Sequence, residues 1–102
     1  MSIQLKKGAL ELCVLSLLSK ADMYGFELVG AISAHVKISE GTIYPLLKRI
    51  KDVGYVTTYL QESQEGPPRK YYQITSFGRT TLSSLITEWH SLVAGINQLL
   101  EA

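Results

Sequence analysis

At 102 residues the chain has room for one domain with a core of modest size. Hydrophobic residues make up 46% and charged ones 19%, which excludes a disordered chain; no apolar run reaches the roughly 18 residues a membrane-spanning helix needs. A net charge of +1 is small for a nucleic-acid partner, so the clustering of the cations has to decide that question.

The single cysteine, Cys13, excludes an internal disulfide and a multi-cysteine metal cage. His35 and His90 lie far apart, so neither a metal nor another cofactor is expected. Two lysines, Lys6 and Lys7, precede an apolar stretch as in a secretory leader. Glu11 interrupts that stretch and no small-residue cleavage site follows, so a cytoplasmic protein without a membrane partner is expected.

The first element spans Leu5 to Leu18, a helix apolar nearly all round, with Ala9, Leu10, Leu12, Val14, Leu15, Leu17 and Leu18. Such a helix needs cover on more than one side, which points to a partner chain. After a break at Ser19 to Asp22, Asp22 is placed to cap a second helix from Tyr24 to about Val36, with Leu28, Val29, Ile32 and Val36 on one face. Ser39 then caps a third helix to about Val53, whose apolar positions are Ile43, Leu46, Leu47, Ile50 and Val53. Gly54 stands where a C-terminal glycine belongs, and Pro45, early in the helix, predicts a kink or a late start.

Tyr55 to Leu60 and Lys70 to Ile74 are rich in β-branched and aromatic residues and flank a polar, turn-rich segment from Gln61 to Pro68. This is a two-stranded hairpin with a long tip. Thr75 or Ser76 caps a last helix, on which Leu82, Leu85, Trp89, Leu92, Ile96 and Leu99 recur at alternating three- and four-residue spacing. Ile86, Val93 and Leu100 add a flanking column. A stripe of about three heptads on a terminal helix predicts a two-fold homodimer, the alternative being a helix folded back on its own domain.

The fold class is therefore mainly α with a small β-hairpin: a winged helix-turn-helix over residues 1–74 and one C-terminal dimerisation helix over residues 75–102. On the third helix, the face away from the apolar stripe carries Thr42, Tyr44, Pro45, Lys48, Arg49 and Lys51, with Ser39 at its start. Cations there suit phosphates, and Ser39, Thr42 and Tyr44 can reach phosphate oxygens or base edges in a major groove. Arg69 and Lys70 sit on the wing, so five of the ten cations fall in two short segments. A solvated charged face is the alternative that composition alone leaves open.

The segment Gly41 to Ile50 resembles the recognition-helix signature of PadR-family transcriptional regulators. Gly66 to Thr75, followed by Gly78-Arg79, resembles that family's wing, and Tyr24 to Leu28 its second-helix start. The resemblance covers most of residues 8–80. It implies a dimeric repressor released from an inverted-repeat operator by a small, often aromatic, molecule. It carries DNA contact onto Thr42, Tyr44, Pro45, Lys48, Arg69 and Lys70, and a packing role onto Leu46, Ile50, Tyr71 and Tyr72. The short C-terminal part resembles the family's small, single-helix subgroup.

Trp89, within the dimer stripe formed by Leu82, Leu85, Ile86, Trp89, Leu92, Val93, Ile96 and Leu99, either stacks against a flat effector or fills the dimer core. Cys13 is read as a packed core residue, the alternative being a redox-sensing thiol, which lacks an electropositive neighbour. The chief alternative function is a winged-helix protein-interaction module. No nucleophile–base pair, metal cluster or phosphate-binding loop points to an enzyme, and a metal sensor would need Cys13, His35 and His90 to converge.

Overall fold

The elements follow in the order α1 (Ile3–Leu18), β1 (Met23–Tyr24), α2 (Gly25–Ser33), α3 (Glu40–Asp52), β2 (Val56–Ser63), β3 (Gly66–Ile74) and α4 (Ser76–Glu101). The structure, a computed structural model, describes residues 3–102. The side chains of residues 3–7 lie outside that description, and with them what the sequence implies for Leu5, Lys6 and Lys7.

In α1, Leu10, Val14, Leu15 and Leu18 are buried and form the centre of the core. Leu12, Cys13 and Leu17, on its other faces, are only partly covered. The helix is thus apolar on sides that its own chain leaves half open.

The second helix starts later than Asp22 implies, because Met23 and Tyr24 are held in a short strand opposite Tyr72 and Tyr71 of β3. Tyr24 is the N-cap residue of α2, and the Glu27 carboxylate accepts its backbone N–H at 3.2 Å, as in a capping box. Asp22, released from capping, accepts the Tyr59 hydroxyl at 2.7 Å and Gln73 Nε2 at 3.4 Å. It therefore ties the turn before β1 to both strands of the hairpin.

Ser39 occupies the N-cap position of α3 in an extended conformation, but its hydroxyl caps no backbone N–H and lies instead 3.2 Å from that of Thr42. The helix runs from Glu40 through Pro45 without a late start, and the missing proline N–H leaves the Gly41 carbonyl without its helical partner. Ile43, Leu46, Leu47 and Ile50 are buried as their spacing predicts, whereas Val53, the C-cap residue, is exposed. Gly54 follows at φ +90, the left-handed geometry that ends the helix.

The hairpin is longer and its tip tighter than the sequence implies. Strands β2 and β3 run up to a two-residue turn at Gln64 and Glu65, with a register irregularity between Gln61 and Ser63. Pro67 and Pro68 fit inside β3 because successive residues turn their N–H positions to opposite edges: one meets the edge that β1, covering only Tyr71 and Tyr72, leaves free, and the other falls at the register irregularity opposite β2. The sheet has three strands in the order β1-β3-β2. A strand of two residues is too short for periodicity to register.

Thr75 caps α4: its hydroxyl accepts the Gly78 N–H at 3.0 Å and lies 2.7 Å from the Gly54 carbonyl. The helix then packs so closely on the start of β2 that a Cβ at Gly78 would stand 2.1 Å from the Tyr55 carbonyl oxygen. Leu82 is buried in the core of its own chain and Leu85 packs against it, so both head the heptad stripe from inside the domain. Beyond them Ile86, Trp89, Leu92, Ile96 and Leu99 are exposed, the last at 78%.

Gly78→Ala should lower stability by about 1–3 kcal/mol, because the methyl has no room. Gly30→Ala, on the exposed side of α2 with nothing near an added Cβ, should raise it by about 0.5–1 kcal/mol. Urea unfolding at one fixed protein concentration measures both, and an unchanged or raised midpoint for Gly78→Ala would contradict the packing at Gly78.

Candidate nucleic-acid interface

The outward face of α3 presents Ser39, Thr42, Tyr44, Pro45, Lys48 and Lys51, all exposed. Lys48 pairs with Asp52 one turn on, at 3.1 Å, with both side chains largely in solvent. A surface pair of that spacing is worth only about 0.3–0.5 kcal/mol, so it yields readily to a phosphate. Tyr44 also packs: its ring lies against the start of α2, where a Cβ on Gly25 would come within 2.8 Å of it. Glycine at that position lets α3 and α2 approach closely enough to share one surface.

Arg49 turns the other way. Its guanidinium donates to the Glu11 carboxylate of α1 at 2.7 Å, and its Nε is buried without a partner among the described residues. Arg49 follows the buried Leu46 by three positions and so shares the flank of the core. Lys51 likewise follows the buried Leu47 by four positions, so spacing alone does not separate the two cations; the Glu11 carboxylate on the side that α1 covers does.

On the wing, side chains alternate. Tyr72 and Ile74 are buried on the core face of β3, and Lys70 shares their side. Arg69, Tyr71 and Gln73 project from the other face. There Phe26, Tyr24, Tyr71 and Tyr59 form a row of rings with successive centroids 6.4, 5.4 and 5.6 Å apart. The Arg69 guanidinium sits over the Tyr24 ring, 4.7 Å from its centre. The hydrogen bond to Asp22 pushes the Tyr59 phenol above its ordinary pKa, and burial does the same for Tyr72. The row was not legible, because it depends on β1.

A cleft of about 200 Å³ lies between α1 and α4, lined by Gly8, Ala9, Leu12, Leu85, Glu88, Trp89 and Leu92. Glu88 stands three residues after Leu85 and four before Leu92, so it shares their helix face. His90 lies outside this cleft. Cys13 and His35 line a second cleft, of about 180 Å³, between α1 and α2. Burial pushes the Cys13 thiol up, which disfavours the reactive thiolate. Among the described residues, no three His, Cys, Asp or Glu side chains are grouped to hold a metal ion.

A helix-turn-helix whose second helix turns its polar and cationic face outward, followed by a β-ribbon, defines the winged-helix class of DNA-binding proteins. The family model described as "Transcriptional regulator PadR-like family" matches residues 14–84, and the chain belongs to that family of DNA-binding transcriptional regulators. A PadR-like transcriptional regulator from Bacillus cereus has the same fold at a TM-score of 0.87 and 38% identity, covering 97% of this chain and 98% of that one. A Streptococcus mutans protein also superposes at 0.87, with 36% identity over 94% of this chain and 90% of the other. An uncharacterised Lysinibacillus sphaericus protein is 32% identical over 99 residues, covering 93% of this chain and 91% of its own. No helix among the described residues is long and apolar enough to cross a membrane.

Glu11→Ala leaves the Arg49 guanidinium half-buried and unpaired, and should cost about 1–3 kcal/mol of stability. Lys48→Ala should change stability by no more than about 0.5 kcal/mol. Equal urea midpoints for the two variants would argue that the Arg49–Glu11 pair is not formed in solution.

Proposed function

We propose that the protein is a cytoplasmic, homodimeric repressor that binds an inverted-repeat operator and leaves it when a small, flat ligand binds beside Trp89. The observation that carries the DNA-binding part is the exposed face of α3, with Lys48 and Lys51 free of the core and Thr42 and Tyr44 near the helix start. Arg69 and Lys70 on opposite faces of the wing extend it. In this reading α3 enters a major groove, Lys48 and Lys51 neutralise phosphates, and the wing approaches the adjacent backbone. Arg49 acts through Glu11 and is left out of the contact set. A protein-interaction module would favour an apolar or acidic face on α3, which the lysines argue against. No catalytic role is assigned to any residue.

The open apolar stripe of α4 supports the dimer. Ile86, Trp89, Leu92, Val93, Ile96 and Leu99 have no cover comparable to that of Leu82, and a second α4 supplies it by two-fold symmetry. Pairing sets the distance between the two α3 helices, which match successive major grooves at roughly 34–36 Å. The cleft beside Trp89 lies between α1 and α4, so a ligand there that prefers another spacing shifts the dimer away from the DNA-bound arrangement.

Fluorescence anisotropy against the duplex upstream of its own gene tests the DNA-binding part, with a scrambled duplex as control. Binding about a thousandfold tighter to the promoter supports it, and equal weak binding to both counts against it. Lys48→Ala should weaken binding to all duplexes and flatten the salt dependence by about one unit; an unchanged slope would remove Lys48 from the phosphate contacts.

Replacing Leu92 and Ile96 together by glutamate should give monomers by light scattering at micromolar concentration, and dimers would sink the assignment. The same monomer should lose the quenching of Trp89 fluorescence that a planar aromatic dye produces in the dimer. Quenching in both would put the ligand site within one chain.

A further inference from the structure

We propose that Tyr24 is a positioning residue for DNA binding: its ring holds the Arg69 guanidinium ready for a phosphate. The proposal rests on the DNA-binding reading above and names a further residue for that interface. Of the three arginines in the chain, Arg49 is committed to Glu11 at 2.7 Å. Arg79 reaches the Ser19 carbonyl at 3.4 Å. Arg69 has the Tyr24 ring beneath it, at 4.7 Å, and no hydrogen-bond or ion-pair partner among the described residues.

A guanidinium is planar. When one face rests on a ring, the donors along its edge stay free to bind two phosphate oxygens side by side. The contact therefore removes conformational freedom that a long exposed side chain would otherwise lose on binding DNA, while leaving its donors available. Lys70, its neighbour, is exposed on the opposite face of the strand and has no such support.

The ring is itself fixed. Tyr24 is paired with Tyr71 in the sheet, flanked by the Phe26 and Tyr71 rings, and Tyr71 stacks on Tyr59, whose hydroxyl is anchored on Asp22. The next residue, Gly25, carries the Tyr44 ring of α3. One backbone step thus joins the residue under the wing arginine to the residue under the recognition helix. A shift of either would move the other.

The test uses a fluorescein-labelled mixed-sequence duplex of about 30 base pairs, longer than two half-sites one turn apart. The full chain is titrated at low salt, where phosphate contacts dominate. Tyr24→Leu should weaken binding about two- to fivefold, the worth of an exposed cation–π contact, while Tyr24→Phe and Tyr24→Trp should stay within about twofold of the parent. In an Arg69→Gln background, Tyr24→Leu should have no further effect. Equal affinity of Tyr24→Leu and the parent would overturn the proposal. So would the same loss with and without Arg69, which a merely structural role would give.

A second readout needs no Tyr24 variant: in the free protein the Arg69 δ-protons should resonate upfield through the ring current, and random-coil positions would overturn the proposal. A parent protein that binds neither this duplex nor its promoter would instead overturn the DNA-binding reading, and the proposal with it.

Discussion

Helix α1 is apolar on nearly every face, and everything else in the molecule is arranged around the need to cover it. Its inner side takes Leu28 and Ile32 from α2, Ile43 and Leu47 from α3, and Leu82 from α4 into one cluster. Burying a leucine or isoleucine fully is worth about 1.5–3 kcal/mol, so this shared core places three helices at once. The outer side, with Leu12, Cys13 and Leu17, remains half open. Two clefts lie along that helix, one against α4 and one against α2.

Helix α3 takes its orientation from this core and from two contacts that flank it. Arg49 reaches back to Glu11 on α1, and the Tyr44 ring lies on Gly25 at the start of α2. Between these contacts the helix can turn neither way without either leaving a guanidinium unpaired or driving a ring into backbone. The polar and cationic face is consequently held outward. That outward presentation follows from packing on the opposite side, not from any attraction among the exposed residues themselves.

Helix α4 belongs to two environments. Its first turns are pressed against β2 at Gly78 and buried at Leu82, and they are part of the same core as α1. The rest continues outward, to about 39 Å in all at 1.5 Å per residue, and gives the molecule a long axis of 56 Å. The α1–α4 cleft opens where the helix passes from one environment to the other. Trp89 therefore lies beside both the domain core and the face that remains open.

Sequence alone determined the helices, the order of a winged helix-turn-helix, most of the buried positions, Gly54 as a helix end and the heptad stripe. Each is a local pattern of spacing or capping that one segment expresses by itself. Tertiary structure decided what depends on distant segments meeting. It turned Asp22 from a helix cap into an anchor for Tyr59, made a strand of Met23 and Tyr24, and gave Leu82 to the core. It also drew Arg49 toward Glu11, 38 residues away, and brought Arg69 over Tyr24. The physical reason is that periodicity reports which side of a helix or strand is apolar, whereas the partner of a polar or aromatic side chain is set by whatever the folded core brings within reach.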